Sequence, residues 1–203
     1  MIEFKMLIDL AQKLNVIQTV KSKLLRQPDP AADKLVVVLS ELSKVYGVID
    51  AELVRYLSLY FDPEQRLQEE RAVLLTLEGG QMRMRVGEAN GHCHKIWNIY
   101  SKYLKRWFYD VLTPDEASSM NELFSNLSYA DSQMVSALEV LTRWLSQESS
   151  ETITLLDAGK LDEANARVKS ARKDILPARQ AISKAMSDLM QLQAEFIAAS
   201  GTV

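Results

Sequence analysis

From Leu161 to Ala199 apolar residues return every third or fourth position without a lapse: Leu161, Ala164, Val168, Ala171, Ile175, Ala178, Ile182, Ala185, Leu189, Leu192, Phe196 and Ala199. That spacing marks one buried face of a helix. At the α-helical rise the segment measures on the order of 58 Å. Alternating large residues and alanines let neighbouring helices come close. Pro177 removes one backbone donor and crowds the preceding turn, so a bend is expected there. The rest of the chain is equally poor in punctuation. It has 7 glycines and 5 prolines in 203 residues, roughly half of an average usage near 12%. Long, uninterrupted elements follow.

The same period recurs upstream. Met6, Leu7, Leu10, Leu14, Ile17, Leu24 and Leu25 predict an amphipathic helix ending near Gln27, ahead of Pro28-Asp29-Pro30. Leu35 to Tyr46 is rich in valine, but its continued spacing favours helix, with Gly47 as C-terminal cap. Asp50 reads as the N-cap of a short helix holding Leu53, Leu57, Tyr60 and Phe61 inward. Asp62-Pro63-Glu64 predicts a helix start, with the helix running to Leu112. Its apolar phase shifts at Gly79-Gly80, where a kink or break is expected. Thr113-Pro114-Asp115-Glu116 is a capping-box start. The heptad seam that follows runs through Met120, Leu123, Leu127, Ala130, Met134, Ala137, Leu141 and Trp144 to a turn at Asp157-Ala158-Gly159. The phrase Leu156–Ala164 resembles the helix–turn–helix of tetratricopeptide repeats, but no second copy stands at a 34-residue period, so it reads as an αα-hairpin turn.

The predicted fold is therefore all-α: an elongated antiparallel helical bundle with three long C-terminal helices (63–112, 114–157 and 160–199) and shorter N-terminal ones. Residues 1–203 form a single helical domain, with short helices over 1–61 and the long-helix bundle over 62–203. No run of about 18 apolar residues predicts a membrane span. The N-terminus carries Glu3 and Asp9 and lacks a secretory h-region. One cysteine offers no intramolecular disulfide, so a cytoplasmic location is expected.

The most unusual stretch is Glu78 to Asp110, which holds four glycines, both histidines and the cysteine. Projected at 100° per residue, Met82, Val86, Ala89, Cys93, Ile96, Tyr100, Tyr103 and Trp107 form one core seam. Gly80, Met84, Gly87, Gly91, His94 and Asn98 fall on the opposite side. Interior glycine costs roughly 0.5–1 kcal/mol relative to alanine, so this strip asks for a reason. Three readings answer it: another helix approaches closely, which makes this the central, doubly packed helix; the strip lines a ligand groove with His94 and Asn98 at its polar end; or the segment is simply broken or flexible. His92, Cys93 and His94 project in three directions, so they do not converge on a metal. Cys93 reads as a buried core residue.

Residues 81–110 carry a net +4, and residues 113–158 a net −7. Lys102, Lys105 and Arg106 beside Trp97 and Phe108 make a basic-aromatic contact face, able to meet phosphates and stack bases. The reading preferred from sequence is a solvated flank, because Tyr100, Tyr103 and Trp107 are assigned to the core. No nucleophile motif, phosphate loop or metal motif appears. The expectation is thus a non-enzymatic interaction protein without cofactor, an adaptor, scaffold or assembly subunit acting through helix faces. Protein partners are expected rather than nucleic acid or membrane, including a homodimer through helix 160–199. The alternatives are a ligand-binding or sensory bundle using the groove at 80–98, and a membrane- or nucleic-acid-binding module using the basic 81–110 face.

Overall fold

A computed structural model describes residues 2–26, 30–62, 67–128 and 132–200. Among these the protein is all-α. Helices α1 (Ile2–Lys13) and α2 (Asn15–Leu24) are followed by α3 (Pro30–Leu57), α4 (Leu67–Glu78) and α5 (Gly80–Ile99). A π-turn (Tyr100–Leu104) then leads into α6 (Lys105–Val111), α7 (Pro114–Ser128), α8 (Gln133–Asp157) and α9 (Leu161–Ser200). No described helix is long and apolar enough to cross a membrane.

Several boundaries fall where local chemistry predicts. Thr113 donates its backbone N–H and its hydroxyl to the Glu116 carboxylate, both at 3.0 Å, and α7 begins at Pro114. Gly159 ends α8 in the left-handed region at φ 72°. Its amide reaches the Leu156 carbonyl and the Lys160 amide reaches that of Leu155, the paired bonds of a Schellman cap. The seam of α9 is buried from Ala164 to Phe196, and helical structure continues through the exposed Pro177.

Other boundaries differ from the sequence reading. The first helix is divided at Leu14, where the Ile17 amide bonds the Leu14 carbonyl three residues back (3.0 Å). Gly47 does not cap a helix and Asp50 does not start one: both lie inside the continuous α3. Asp50 instead accepts from Arg179 Nε of α9 at 3.1 Å, so its role is a tertiary ion pair. The segment 114–157 is two helices. Ser132 starts the second, its hydroxyl accepting from the Val135 amide at 3.2 Å. Ala130 of the seam, the Pro28-Asp29 turn and the Pro63-Glu64 start lie outside the described residues.

Pairwise contacts give the topology. Gly47, Asp50, Leu57 and Phe61 meet Met186, Arg179, Arg172 and Asn165 in that order, so α3 and α9 run antiparallel. Lys34, Glu41 and Glu52 meet Tyr103, Lys95 and Arg85, so α3 and α5 do too. Phe4 and Lys13 of α1 meet Trp144 and Gln133 of α8, and Arg71 and Glu78 of α4 meet Asp157 and Ser146. Helix α3 therefore packs on both α9 and α5. Leu35, Val38, Leu42, Val45, Tyr46, Ile49, Leu53 and Tyr56 are all fully buried. Helix α5 also touches α3, α7 and α8, but its glycine side is open, so the more fully covered central helix is α3.

Candidate functional site

Gly79 is where α4 gives way to α5. It takes an extended conformation (φ −100°, ψ −163°) at the helix start, as the phase shift predicted. Its amide still bonds the Leu75 carbonyl at 3.2 Å, and a β-carbon there would meet that same oxygen at 3.0 Å. A side chain there would press on helix backbone, which would have to give by a few tenths of an ångström. The rest of the strip behaves differently. Gly80, Gly87, Gly91, His94 and Asn98 are exposed, and a β-carbon on any of the three glycines meets nothing within 4 Å. No described helix approaches them, so close packing is not their reason within this chain. Nor do they line one groove. A cleft of about 780 Å³ does open between α5 and α8, because α4 packs on α8 and α5 then leaves toward α3. Arg83, Gly87 and Asn90 line one side, Thr142, Arg143 and Ser146 the other. Of the predicted strip only Gly87 reaches it.

The His92-Cys93-His94 run separates as projected. His94 faces solvent, and Cys93 is buried with its thiol pushed up to about 12 by desolvation. His92 turns inward, its Nδ1 lying 2.5 Å from Glu41 Oε2. Glu41 is 2% exposed. Its other oxygen accepts from Lys44 at 2.8 Å and Lys95 at 2.7 Å. Burial alone raises this carboxyl, but the hydrogen bonds from Lys44, Lys95 and His92 outweigh it and hold it down at about 2. One helical face further along, buried Glu52 takes a two-point contact from Arg85 (Nε 2.5 Å, Nη2 3.0 Å) and a further contact from Arg55. These two glutamates clamp α3 to α5. Spacing alone does not single them out as a site, although Glu41 and Glu52 are acids in phase with an apolar face.

The basic-aromatic segment is rearranged by the π-turn. A π-turn adds one residue to a helix, so the step from Tyr100 to the next buried residue becomes four instead of three. Leu104 takes the core position and Tyr103 is turned out, 51% exposed. After the turn Trp107 and Phe108 are both buried. Phe108 is therefore not a contact-face residue. It stacks on Phe124 (5.7 Å), as Tyr100 does from the other direction (5.5 Å), and Tyr100 donates its hydroxyl to Asn121 Oδ1 at 2.7 Å. Trp97 is half-buried against Tyr100. Lys102, Lys105 and Arg106 are exposed as expected. Tyr109, 54% exposed, joins them, and Lys34 of α3 sits over the Tyr103 ring, 5.5 Å from its centre.

Among the described residues no three metal-ligating side chains converge. Comparison with protein families, with curated proteins and with solved structures gives no match to this chain.

Proposed function

We propose that this chain is a non-enzymatic interaction protein, an adaptor, scaffold or assembly subunit, and that the outward face of α9 is its principal contact surface. The observation that carries this reading is an exposed apolar ridge. Leu176, Met190 and Ile197, separated by whole heptads, are 44%, 58% and 55% exposed. Gln180, Ser183, Ser187 and Ala194 lie between them on the same side, all exposed and uncharged. The solvent face of an amphipathic helix ordinarily carries charge. Here the charges, Lys173, Arg179 and Lys184, lie toward the edges of a mostly small, uncharged strip with an apolar ridge, which suits the approach of another helix. Homodimerisation through 160–199 is one form such a contact takes. A cytoplasmic setting fits as well, since the single thiol is buried and unpaired.

A photo-crosslinking amino acid placed at Met190 is expected to give discrete protein adducts in cells. The same group at Glu122, exposed on another face, is expected to give none. Adducts of twice the chain mass identify a second copy, and adducts of another mass a different protein. Absence of any discrete adduct at 190 removes the reading.

A further inference from the structure

The cleft between α5 and α8 is walled by one face of each helix. Arg83, Gly87 and Asn90 follow at steps of four and three on α5, and Glu139, Arg143, Ser146 and Ser150 at steps of four, three and four on α8. Such steps keep side chains on one side of a helix, so the two sets meet across the opening. Ser146 fixes the end of α4 against α8, donating its hydroxyl to the Glu78 carbonyl at 3.0 Å. The volume of about 780 Å³ falls within the roughly 300–1,000 Å³ of small-molecule sites.

Several polar groups of this cleft have no partner in the fold. Between other helices arginines are paired: Arg71 with Asp157, Arg85 with Glu52, Arg167 with Glu148 and Arg179 with Asp50. Arg83 and Arg143, one on each wall, have no hydrogen bond or ion pair among the described residues, and the carboxylates of Glu78 and Glu139 have none either. Glu151, the remaining acid of the lining, is taken up by Arg167. Asn90 Oδ1 is buried without a hydrogen-bond partner, an uncommon condition that asks for an explanation. Gly87 asks for one too. Glycine inside a helix costs stability relative to alanine, yet a β-carbon at Gly87 meets nothing within 4 Å. Packing does not demand glycine there, whereas a side chain would take up space in the cleft.

We propose that the cleft between α5 and α8 binds a small organic molecule that joins an oxyanion, carboxylate or phosphate, to hydrogen-bond donors. Arg83 and Arg143 hold the oxyanion, since a guanidinium offers forked donors to carboxylate and phosphate oxygens. Asn90 Oδ1, Glu78 and Glu139 accept from the donors. An anion alone would leave these three acceptors unanswered, and a polyanion would be repelled by the two carboxylates. Gly87 keeps the space between the walls open for the ligand.

The test is amide-resolved NMR of the full chain at low ionic strength, titrated in turn with glutamate and with phosphoethanolamine to about 10 mM, a range that captures weak binding. Each probe joins an oxyanion to an ammonium donor, and the tighter of the two identifies the oxyanion as carboxylate or phosphate. Saturable shifts confined to residues 83–90 and 139–150 are expected from at least one of them. Inorganic phosphate and acetate, which lack the donor, should bind more weakly. Arg83→Gln and Arg143→Gln should each weaken binding about tenfold or more, the weight of a charge-assisted hydrogen bond. Both arginines are exposed, and an unchanged circular-dichroism spectrum confirms that the variants fold. Gly87→Leu should abolish binding while the urea midpoint holds or rises, a combination that loss of folding does not imitate. The inference is overturned by absence of saturable shifts in the cleft from both probes, by affinities that these variants leave unaltered, or by inorganic phosphate or acetate binding as tightly as the probes.

Discussion

A glutamate with 2% of its surface exposed, set among valines and leucines, is sustainable only if other groups replace its lost water. Around Glu41 those groups are Lys44 on its own helix and His92 and Lys95 on α5. Because its carboxyl is held at about 2, below an ordinary 4.5, the folded state binds this proton less readily than the unfolded chain. The stabilisation is complete above about pH 4.5 and is lost as pH falls through 2. A depression of this size corresponds to about 3 kcal/mol. Glu41→Gln is therefore expected to lower stability in urea titrations at pH 7, and its deficit relative to the parent should shrink markedly at pH 3. An equal deficit at both values means that the carboxylate charge contributes nothing. Residue-scale burial was partly legible beforehand. Cys93 in its seam was readable, whereas Phe108 was not, because its side depends on a turn type that periodicity does not reveal. Spacing puts the strip glycines on one face, but not what covers that face, and within this chain it is open.

At the scale of elements, the π-turn is the feature that most changes the chemistry of its helix. It behaves as a one-residue insertion, so removing a residue should restore an α-helix while leaving later positions in place. Without Ser101, Leu104 falls three residues after Tyr100 and Phe108 seven after it, the spacing of an unbroken core seam. Deleting the exposed Ser101 is accordingly expected to change unfolding free energy by no more than about 1 kcal/mol, whereas deleting a residue within α3 should unfold the protein. A loss of several kcal/mol in thermal or urea denaturation of the Ser101 deletion contradicts the insertion account. The ends of elements were legible where one side chain sets them, as at Thr113 with Glu116 and at Gly159. They were missed where the signal was ambiguous. Gly47 and Asp50 have cap-like identities, but α9 covers one and pairs the other. Ser132 is a real cap inside a heptad pattern that masked it.

Across the whole molecule one buried cluster extends from Phe4 to Phe196, joining the first helix to the last. Trp144 of α8 sits edge-on to Phe4 of α1 (4.9 Å) and to Tyr56 of α3 (5.4 Å). Trp107 packs instead beside Phe108 (5.6 Å). A core shared in this way should unfold as one cooperative unit. Two variants, each retaining only Trp144 or only Trp107 with the other tryptophans replaced by phenylalanine, provide local fluorescence reporters. Each reporter should follow the same urea midpoint as the circular dichroism of its own variant. A reporter transition resolved from the circular-dichroism transition would mean separately folding parts.

By itself the sequence determined that this protein is helical, where α9 runs, which residues of α9 are buried, and that the chain breaks at Gly79. Those properties depend on spacing within one element and on local backbone chemistry, so they are written in consecutive residues. Only the tertiary structure decided that α9 and α5 both cover α3 while the glycine side of α5 stays open, that Glu41 and Glu52 are clamped in the interior, and that Tyr103 faces out. Each of these depends on which surface arrives opposite a given face. A period of 3.6 residues records that a face is apolar, but not which helix covers it.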